Sequence, residues 1–378
     1  MTKLLIVGAD VGTLRELEQL GVTFRDGDTP EDLFGILVDN GFNTIRLRLW
    51  VDPYDESGSP YLGGTNDLQA TLELARRARA HGCKIMLDIH YSDFWADPNK
   101  QSMPKAWQGL TGIALDQMVY DYTRSVLTTM NESGLSPDFV QIGNEITNGM
   151  LWPEGRTTQF VWAEQEWAGY DAEEDSAKFD RLARLLRSGA RATREFAPKS
   201  QIILHLDNGG SNKLYRRWFD AVTSRNVDFD IIGLSYYPFW HGTLEELKAN
   251  LDDLAQRFDK DVLVVETGYG YRVDGPEGAP LAFNAESTIL EGFAPTPEGQ
   301  TKFLLALRDV VTAVPGGHGL GIVYWEPGWV AVEGTSWASH PGMVYGGDVT
   351  ASGHPWANLV LFDFDGNSLP ALAAFREF

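Results

Sequence analysis

Short apolar runs recur along the whole chain, and stretches with the periodicity of amphipathic helices separate them. Consecutive strands with enough chain between them for a crossover helix are typical of a parallel sheet. Eight such runs predict an α/β fold, namely a single (β/α)8 barrel of the TIM type. The runs are Leu4–Val7, Thr44–Leu49, Lys84–Ile89, Phe139–Ile142, Gln201–Leu206, Ile231–Leu234, Asp261–Val265 and Gly321–Tyr324.

The alternative to a closed barrel is an open, doubly wound sheet. Its dinucleotide-binding version carries a G-x-G-x-x-G turn after the first strand, and no such turn is present here. Neither an internal repeat nor a low-complexity linker divides the chain. The sequence therefore favours the barrel, and we predict one domain over residues 1–378.

Capping residues mark the ends of several predicted helices. The run Thr29-Pro30-Glu31-Asp32 offers an N-cap, a proline and acidic residues of a first turn, which predicts a helix that begins there and is ended by Gly41. The later helices are predicted over Leu68–His81, Leu115–Asn131, Ser176–Phe196, Lys213–Ser224, Leu244–Phe258 and Pro297–Val311.

Composition excludes some classes of partner. The formal net charge of −22 argues against binding to nucleic acid or to an anionic membrane, because both need clustered Lys and Arg. Cys83 is the one cysteine, so an internal disulfide is impossible. No apolar run is long enough to span a bilayer, and the first seven residues are too short to be a signal peptide.

Polar residues that can act in chemistry follow almost every predicted strand. In a parallel barrel these strand ends meet on one face, where active sites lie. Polar residues at strand ends are common in themselves, but carboxylates, arginines and aromatics at all eight ends indicate a site. They are Asp10, Arg46, Arg48, Asp88, His90, Asn144, Glu145, Asp207, Asn208, Tyr236, Tyr237, Glu266, Trp325 and Glu326.

Two glutamates stand out among them. Glu145 follows the fourth apolar run and Glu266 follows the seventh. A carboxylate next to buried surface is costly unless it is paired or used. For either glutamate alone, a structural ion pair with Arg46 or Arg48 explains the position equally well. As a pair they match the two carboxyl groups that glycoside cleavage requires, one to protonate the leaving oxygen and one to attack the anomeric carbon or activate water.

The sequence resembles glycoside hydrolase family 53, the endo-β-1,4-galactanases, nearly from end to end. The run Tyr-Ser-Asp-Phe-Trp-Ala-Asp-Pro at 91–98 and the run Leu-Trp-Pro-Glu-Gly at 151–155 are its most specific motifs. Shorter matches are Gly143-Asn144-Glu145, Val265-Glu266-Thr267 and Tyr324-Trp325-Glu326-Pro327.

This resemblance implies roles for individual residues. Glu145 would be the proton donor and Glu266 the nucleophile of a retaining, endo-acting enzyme that cleaves β-1,4-galactan and arabinogalactan, the side chains of pectin. Asn144 would bind the 2-hydroxyl of the sugar, and Arg46 would lie beside Glu266 and keep it ionised.

Further residues are expected around the substrate by the same resemblance. Either Tyr236 or Tyr237 would support the nucleophile, and alternation along the strand leaves both possible. Trp325 would form the floor of the subsite that holds the sugar under attack. Further subsites would be lined by His90, Asp93, Trp95 and Trp107.

The sequence departs from some bacterial members of the family in one loop. Those members bind calcium after the seventh strand through an Asp-x-Asp-x-His-x-Asn run, but here residues 271–278 contain one aspartate and no histidine. Calcium needs six or more oxygen ligands. We therefore predict no metal and no cofactor.

Two other functions stay open at this point. Another endo-β-1,4-glycanase, such as a mannanase or xylanase, would share the fold and the carboxylates. Galactose differs from glucose only at one hydroxyl, so a few hydrogen bonds decide which sugar is bound. A non-catalytic carbohydrate-binding barrel is the alternative outside enzymes, although both carboxylates are present. The resemblance further implies a monomer that works outside the cell.

Overall fold

A closed barrel of parallel strands forms the centre of the computed structural model, which describes residues 4–276, 281–347 and 353–378. Eight strands within these ranges form the barrel, and each is bonded to the next in chain order. Ala9 lies opposite Ile45 on one side and opposite Tyr324 on the other, which closes the ring. The predicted (β/α)8 fold is confirmed. The strands are β1 Ile6–Asp10, β2 Thr44–Leu49, β3 Lys84–Ile89, β4 Phe139–Ile142, β5 Gln201–Leu206, β6 Ile231–Tyr236, β7 Asp261–Thr267 and β8 Gly319–Tyr324.

Helices surround the barrel and fill the connections between its strands. In chain order, α1 to α11 are Leu14–Gln19, Leu33–Asp39, Leu68–Ala80, Gly112–Glu132, Ala172–Phe196, Asn212–Thr223, Pro238–His241, Leu244–Phe258, Pro297–Thr312, His340–Gly346 and Pro370–Ala374. Short two-residue strands pair in three hairpins, Phe24–Arg25 with Pro30–Glu31, Gly149–Met150 with Gly155–Arg156, and Phe160–Val161 with Glu166–Trp167. Among the described residues, no helix combines the length and apolar character that crossing a membrane requires.

Two predicted boundaries near the amino terminus are wrong. The first strand is Ile6–Asp10 instead of Leu4–Val7, because the small residues after Val7 continue the pairing with both neighbouring strands. The helix predicted to open at Thr29 begins at Leu33. Asp32 is its N-cap and accepts a hydrogen bond from the Phe34 amide, while the residues before it form a hairpin.

The barrel interior has an apolar level and a polar level. The apolar level is buried and consists of Ile6, Met86, Phe139, Ile203, Ile231, Leu263, Val265, Leu320 and Val323. Nearer the carboxyl ends of the strands lie buried polar side chains, among them Arg46, Asp88, Gln141, His205 and Ser235. The polar residues thus rest on a closed apolar base, which keeps water from reaching them from below.

A β-bulge in β7 decides where Glu266 points. Leu234 of β6 pairs with Val264, but the next residue, Ser235, pairs with Glu266, so β7 carries one extra residue there. The pairing of β7 with β8 shifts in the same stretch. Val265 belongs to the apolar level, and strict alternation would send the next side chain outward. The extra residue turns Glu266 inward as well, as bulges near active sites commonly do.

Leu263→Ala is expected to lower the free energy of unfolding by ~2–5 kcal/mol, because it leaves a cavity in the apolar level. Urea unfolding followed by tryptophan fluorescence measures it. The matched control is Ile113→Ala, since that side chain is 85 % exposed on α4 and should change stability by less than ~0.5 kcal/mol. Equal losses in the two variants would contradict this account of the barrel interior.

Candidate active site

A cavity of about 1070 Å³ opens at the carboxyl ends of the barrel strands. It brings together twelve of the residues that the sequence singled out for a site, contributed by several strands and the loops that follow them. These are Arg46, Arg48, Asp88, His90, Trp95, Asn144, Glu145, Asp207, Asn208, Tyr237, Glu266 and Trp325. Further residues of its wall are Asp97, Trp162, Trp240, Trp337 and Trp356.

The carboxylate of Glu266 is buried and held by two partners. Arg46 Nη1 lies 2.9 Å from Oε1, so a buried ion pair fixes one oxygen. The hydroxyl of Tyr237 donates to Oε2 at 3.3 Å. Each oxygen of the carboxylate therefore has a partner, a cation for Oε1 and a hydroxyl for Oε2, and the group lies in the wall of the cavity.

Arg46 is the centre of the polar level. It is only 1 % exposed, and its guanidinium contacts residues of several other strands. Nη1 donates to Asp10 at 3.1 Å, and Nη2 donates to Asp88 and to Asn144, both at 3.0 Å. Nε and Nη2 also donate to Gln141 Oε1 at 3.3 and 3.2 Å. Together with the ion pair to the carboxylate on β7, these bonds use all of its donor nitrogens.

The charges around this guanidinium shift several pKa values. Burial alone lowers the pKa of Arg46, but the carboxylates of Asp10, Asp88 and Glu266 raise it above its ordinary value. Burial raises the pKa of Asp10 well above its usual range. Burial also raises the pKa of Glu266, and the charge of Arg46 opposes that rise. The arginine is thus what favours the ionised form of Glu266 in a site with little water.

Glu145 lies in a different electrostatic setting. It stands directly after β4, beyond Gly143 and Asn144, with a φ of 46° in the left-handed region, a strain that functional sites often hold. Its Oε1 accepts a hydrogen bond from Ser235 at 2.7 Å. Burial raises the pKa of Glu145 well above its usual range, and the negative charge of Glu266 raises it further. The protonated form is therefore favoured.

The two carboxyl groups lie close together. The hydroxyl oxygen of Ser235 is 2.7 Å from Glu145 Oε1 and 3.5 Å from Glu266 Oε2. These two oxygens can therefore be no further apart than the sum of both distances, and one hydroxyl reaches both carboxyl groups.

Tryptophan rings form much of the cavity wall. Trp95 stacks on Trp337 with centroids 4.3 Å apart, and Trp325 contacts Trp356 at 4.8 Å. The guanidinium carbon of Arg48 lies 4.5 Å from the centre of Trp95. Flat apolar rings beside polar groups suit the faces of sugar rings.

His90 is fixed by its neighbours as well as exposed to the cavity. Its Nδ1 accepts hydrogen bonds from the Ala96 amide at 3.2 Å and from Trp50 Nε1 at 3.3 Å, so the proton lies on Nε2. Nε2 donates to Asp88 at 3.0 Å. His90 therefore continues the polar network that begins at Arg46.

Three residues expected at the substrate lie elsewhere. Asp93 does not line the cavity; its Oδ2 accepts from the Lys105 amide at 2.7 Å and so ties one loop to another. Tyr236 points outward and donates to the Gly242 carbonyl at 2.9 Å, which leaves Tyr237 as the tyrosine on the nucleophile side. Trp107 packs against other aromatic rings behind the loops.

Gln141, His205 and Ser235 contact the site residues but were missed in the sequence. Gln141 and His205 lie inside predicted strands, whereas the residues singled out follow them, and Ser235 lies between the predicted end at Leu234 and the two tyrosines that were singled out. A signal was available, because each is a polar residue at an alternate, inward position of an otherwise apolar run.

The described residues contain no group of three or more His, Cys, Asp or Glu side chains placed to hold a metal ion. In the loop after β7, Asp274 pairs with Arg272 at 2.8 Å. Glu277 and Gly278, the last two residues of the stretch compared with calcium-binding members, lie outside the described residues. The absence of a calcium site stays a prediction.

The sequence of this chain is similar to sequences of known proteins. The sequence model of glycosyl hydrolase family 53 matches residues 6–375. The endo-β-1,4-galactanase of Bacillus subtilis strain 168 is 35 % identical over 403 aligned positions, which cover 100 % of this chain and 86 % of that protein.

The structure is also similar to solved structures of known proteins. The Ignisphaera aggregans GH53 catalytic domain superposes with a TM-score of 0.87 at 36 % identity, covering 100 % of this chain and 96 % of the other. A structure from a study of two fungal β-1,4-galactanases superposes with a TM-score of 0.78 at 31 % identity, covering 99 % of this chain and 100 % of the other.

Arg46→Met is expected to lower the free energy of unfolding by ~3–5 kcal/mol at about pH 7, because buried carboxylates lose their cation. Without it their folded-state pKa values rise, so stability is retained below the unfolded pKa values and lost as the pH rises. The difference in the free energy of unfolding between Arg46→Met and wild type should therefore shrink toward about pH 4. Urea unfolding at both pH values measures this.

Arg77→Met is the control, because its ion pairs with Glu18 and Asp32 are partly exposed. It should cost no more than ~1 kcal/mol. A deficit for Arg46→Met that is small, or that grows as the pH falls, would contradict the central role given to this arginine.

Proposed function

The chain belongs to glycosyl hydrolase family 53 and is a glycosidase, and from this premise we propose that it cleaves internal β-1,4-galactosidic bonds of galactan and arabinogalactan by double displacement. The observation that carries the proposal is the pair of carboxyl groups, Glu145 and Glu266, which both lie within 3.5 Å of the Ser235 hydroxyl and of which Glu266 is paired with the Arg46 cation.

The first step uses both groups at once. The ionised Glu266 attacks the anomeric carbon and forms a glycosyl ester, while Glu145 gives its proton to the glycosidic oxygen. The bond from the anomeric carbon to that oxygen breaks, and the shortened chain leaves as an alcohol. Arg46 stabilises the negative charge of the nucleophile beforehand, and Tyr237 binds its second oxygen.

The second step reverses the roles. Glu145, now a carboxylate, takes a proton from water as the water oxygen attacks the anomeric carbon, and the ester bond to Glu266 breaks. Esterification removes the negative charge of Glu266. Since that charge raises the pKa of Glu145 in the free enzyme, the pKa of Glu145 falls in the intermediate, which suits a base.

The choice of galactan is supported by the relatives. The Bacillus subtilis protein is named an endo-β-1,4-galactanase, and the fungal structure comes from a study of β-1,4-galactanases. A long cavity with several tryptophans, among them the 42 % exposed Trp240, suits a chain bound across it and cut internally. The monomeric state and the extracellular location stay predictions.

Reducing-sugar release from pectic β-1,4-galactan, beside mannan, xylan and cellulose, tests the substrate. We expect release of short oligosaccharides from galactan alone. Glu266→Gln should fall to background, and Glu145→Gln should fall ~10²–10⁴-fold, because one loses the nucleophile and the other the acid.

Glu132→Gln is the matched control, an exposed glutamate at the end of α4 that should keep wild-type rates. Cleavage of another glycan would replace galactan in this proposal. Wild-type rates in either active-site variant would refute the assigned roles, and binding without cleavage of any glycan would favour a non-catalytic protein.

A further inference from the structure

Three hydrogen bonds in series connect the backbone amide of Glu145 to the carboxyl group of the same residue. They run through the side chains of His205 on β5 and Ser235 on β6, which together are called the relay. Both side chains are fully buried, and neither lines the cavity. Neither side chain reaches the cavity, so a role in catalysis acts through the carboxyl groups that Ser235 contacts, of which Glu145 is the nearer.

The backbone settles which nitrogen of His205 carries the proton. The amide N–H of Glu145 lies 3.3 Å from Nδ1 and can only donate, so Nδ1 is an acceptor. The side-chain nitrogen of Gln141 also lies 3.1 Å from Nδ1, but its two protons are donated to Asp88 at 2.6 Å and to the Gly143 carbonyl at 3.1 Å. Asn144 Oδ1 is 3.1 Å from the same nitrogen, but it already accepts from Arg46 and supplies no proton. The proton of the ring therefore lies on Nε2.

The ring also stays uncharged. Burial lowers the pKa of His205 well below its ordinary value, and the positive charge of Arg46 lowers it further. A neutral imidazole with its proton on Nε2 is a donor at one end and an acceptor at the other. It can therefore connect the backbone of Glu145 to the hydroxyl of Ser235 in one direction only.

That direction fixes the hydroxyl of Ser235. Its oxygen accepts from His205 Nε2 at 2.8 Å, and its single proton points to Glu145 Oε1 at 2.7 Å. Glu266 Oε2 is further away, at 3.5 Å. The carbonyl oxygen of a carboxylic acid is a stronger acceptor than its hydroxyl oxygen, so this bond favours the acid form of Glu145 in which the proton lies on Oε2.

We propose that His205 and Ser235 are positioning residues for the acid and base: they hold Glu145 by Oε1 and so assign all proton exchange with the glycosidic oxygen and with water to Oε2. This inference rests on the role proposed above for Glu145. Ser235 donates more strongly to a carboxylate than to an acid. The relay therefore also favours the ionised form of Glu145 that the second step needs.

Other titratable groups face Glu145 from the neighbouring elements. Glu266 on β7, Asp207 after β5 and Asp97 after β3 raise the pKa of Glu145 by their charges, while Ser235 lowers it. Burial raises the pKa of Asp207 to about 7. The hydroxyls of Tyr215 on α6 and Tyr237 after β6 also interact with Glu145. Removal of the Ser235 hydroxyl leaves all of these groups in the protein, and the one among them that it also contacts is Glu266, at the longer distance of 3.5 Å.

The test is the pH profile of kcat/KM for wild type and Ser235→Ala, on whichever glycan the wild type hydrolyses. The alkaline limb reports the acid. Loss of a hydrogen bond to a charged group should move this limb upward by about one pH unit. The acidic limb, which reports Glu266, should stay in place. We expect kcat to fall about tenfold at an unchanged KM, because Ser235 does not reach substrate.

Two variants at His205 test whether a donor to Ser235 is what the relay requires. His205→Gln keeps an N–H that can donate to Ser235 and should keep the wild-type limb. His205→Leu removes the donor and should move the limb upward, by less than Ser235→Ala does. If Ser235→Ala does not fold, Ser235→Cys takes its place, since a thiol is a weaker donor of similar size and should shift the limb in the same direction.

Ser188→Ala makes the same chemical change at a buried position of α5 and should leave both limbs unchanged. An alkaline limb that stays in place or moves downward in the Ser235 variants would overturn the relay. So would equal shifts in His205→Gln and His205→Leu. Wild-type activity on galactan is read from the same assays and tests the proposed function separately.

Discussion

The buried guanidinium of Arg46 is the interaction on which the rest of the site depends. From β2 it binds acceptors that belong to β1, β3, β4 and β7, so one side chain joins most of the barrel at the level where the apolar interior ends. Asp10, Asp88 and Glu266 could not lie together in so little water without a cation between them. The same bonds orient Asn144, which adjoins Glu145.

Two glutamates become different reagents because their surroundings differ. Glu266 is paired with a cation, and Glu145 is approached by other carboxylates and by one neutral hydroxyl. Burial raises the pKa of both groups, but the charge of Arg46 opposes this rise at Glu266, while the charge of Glu266 adds to it at Glu145, so the two environments separate their pKa values. The apolar level beneath both groups lowers the local dielectric, which strengthens each of these effects.

The sequence predicted what depends on local pattern and missed what depends on register between strands. Alternating strands and helices, with polar residues at the strand ends, predicted the barrel, and the cavity brings Glu145 and Glu266 together. No local pattern shows the extra residue in β7 that turns Glu266 inward. Asp93 follows β3 as a site residue would, yet its loop turns it toward Lys105. His205 lies within a predicted apolar run and Ser235 directly follows another, and a single polar residue at either place does not by itself indicate a function.

The stereochemistry of the first product tests most directly whether Glu266 acts as a nucleophile. Proton NMR during the first minutes of galactan hydrolysis distinguishes the two anomers of the new reducing end before they equilibrate. Double displacement through Glu266 predicts that the β-anomer is released first and that the α-anomer appears later by mutarotation. Initial release of the α-anomer would mean that water attacks directly, and it would contradict an account in which Arg46 prepares a nucleophilic carboxylate.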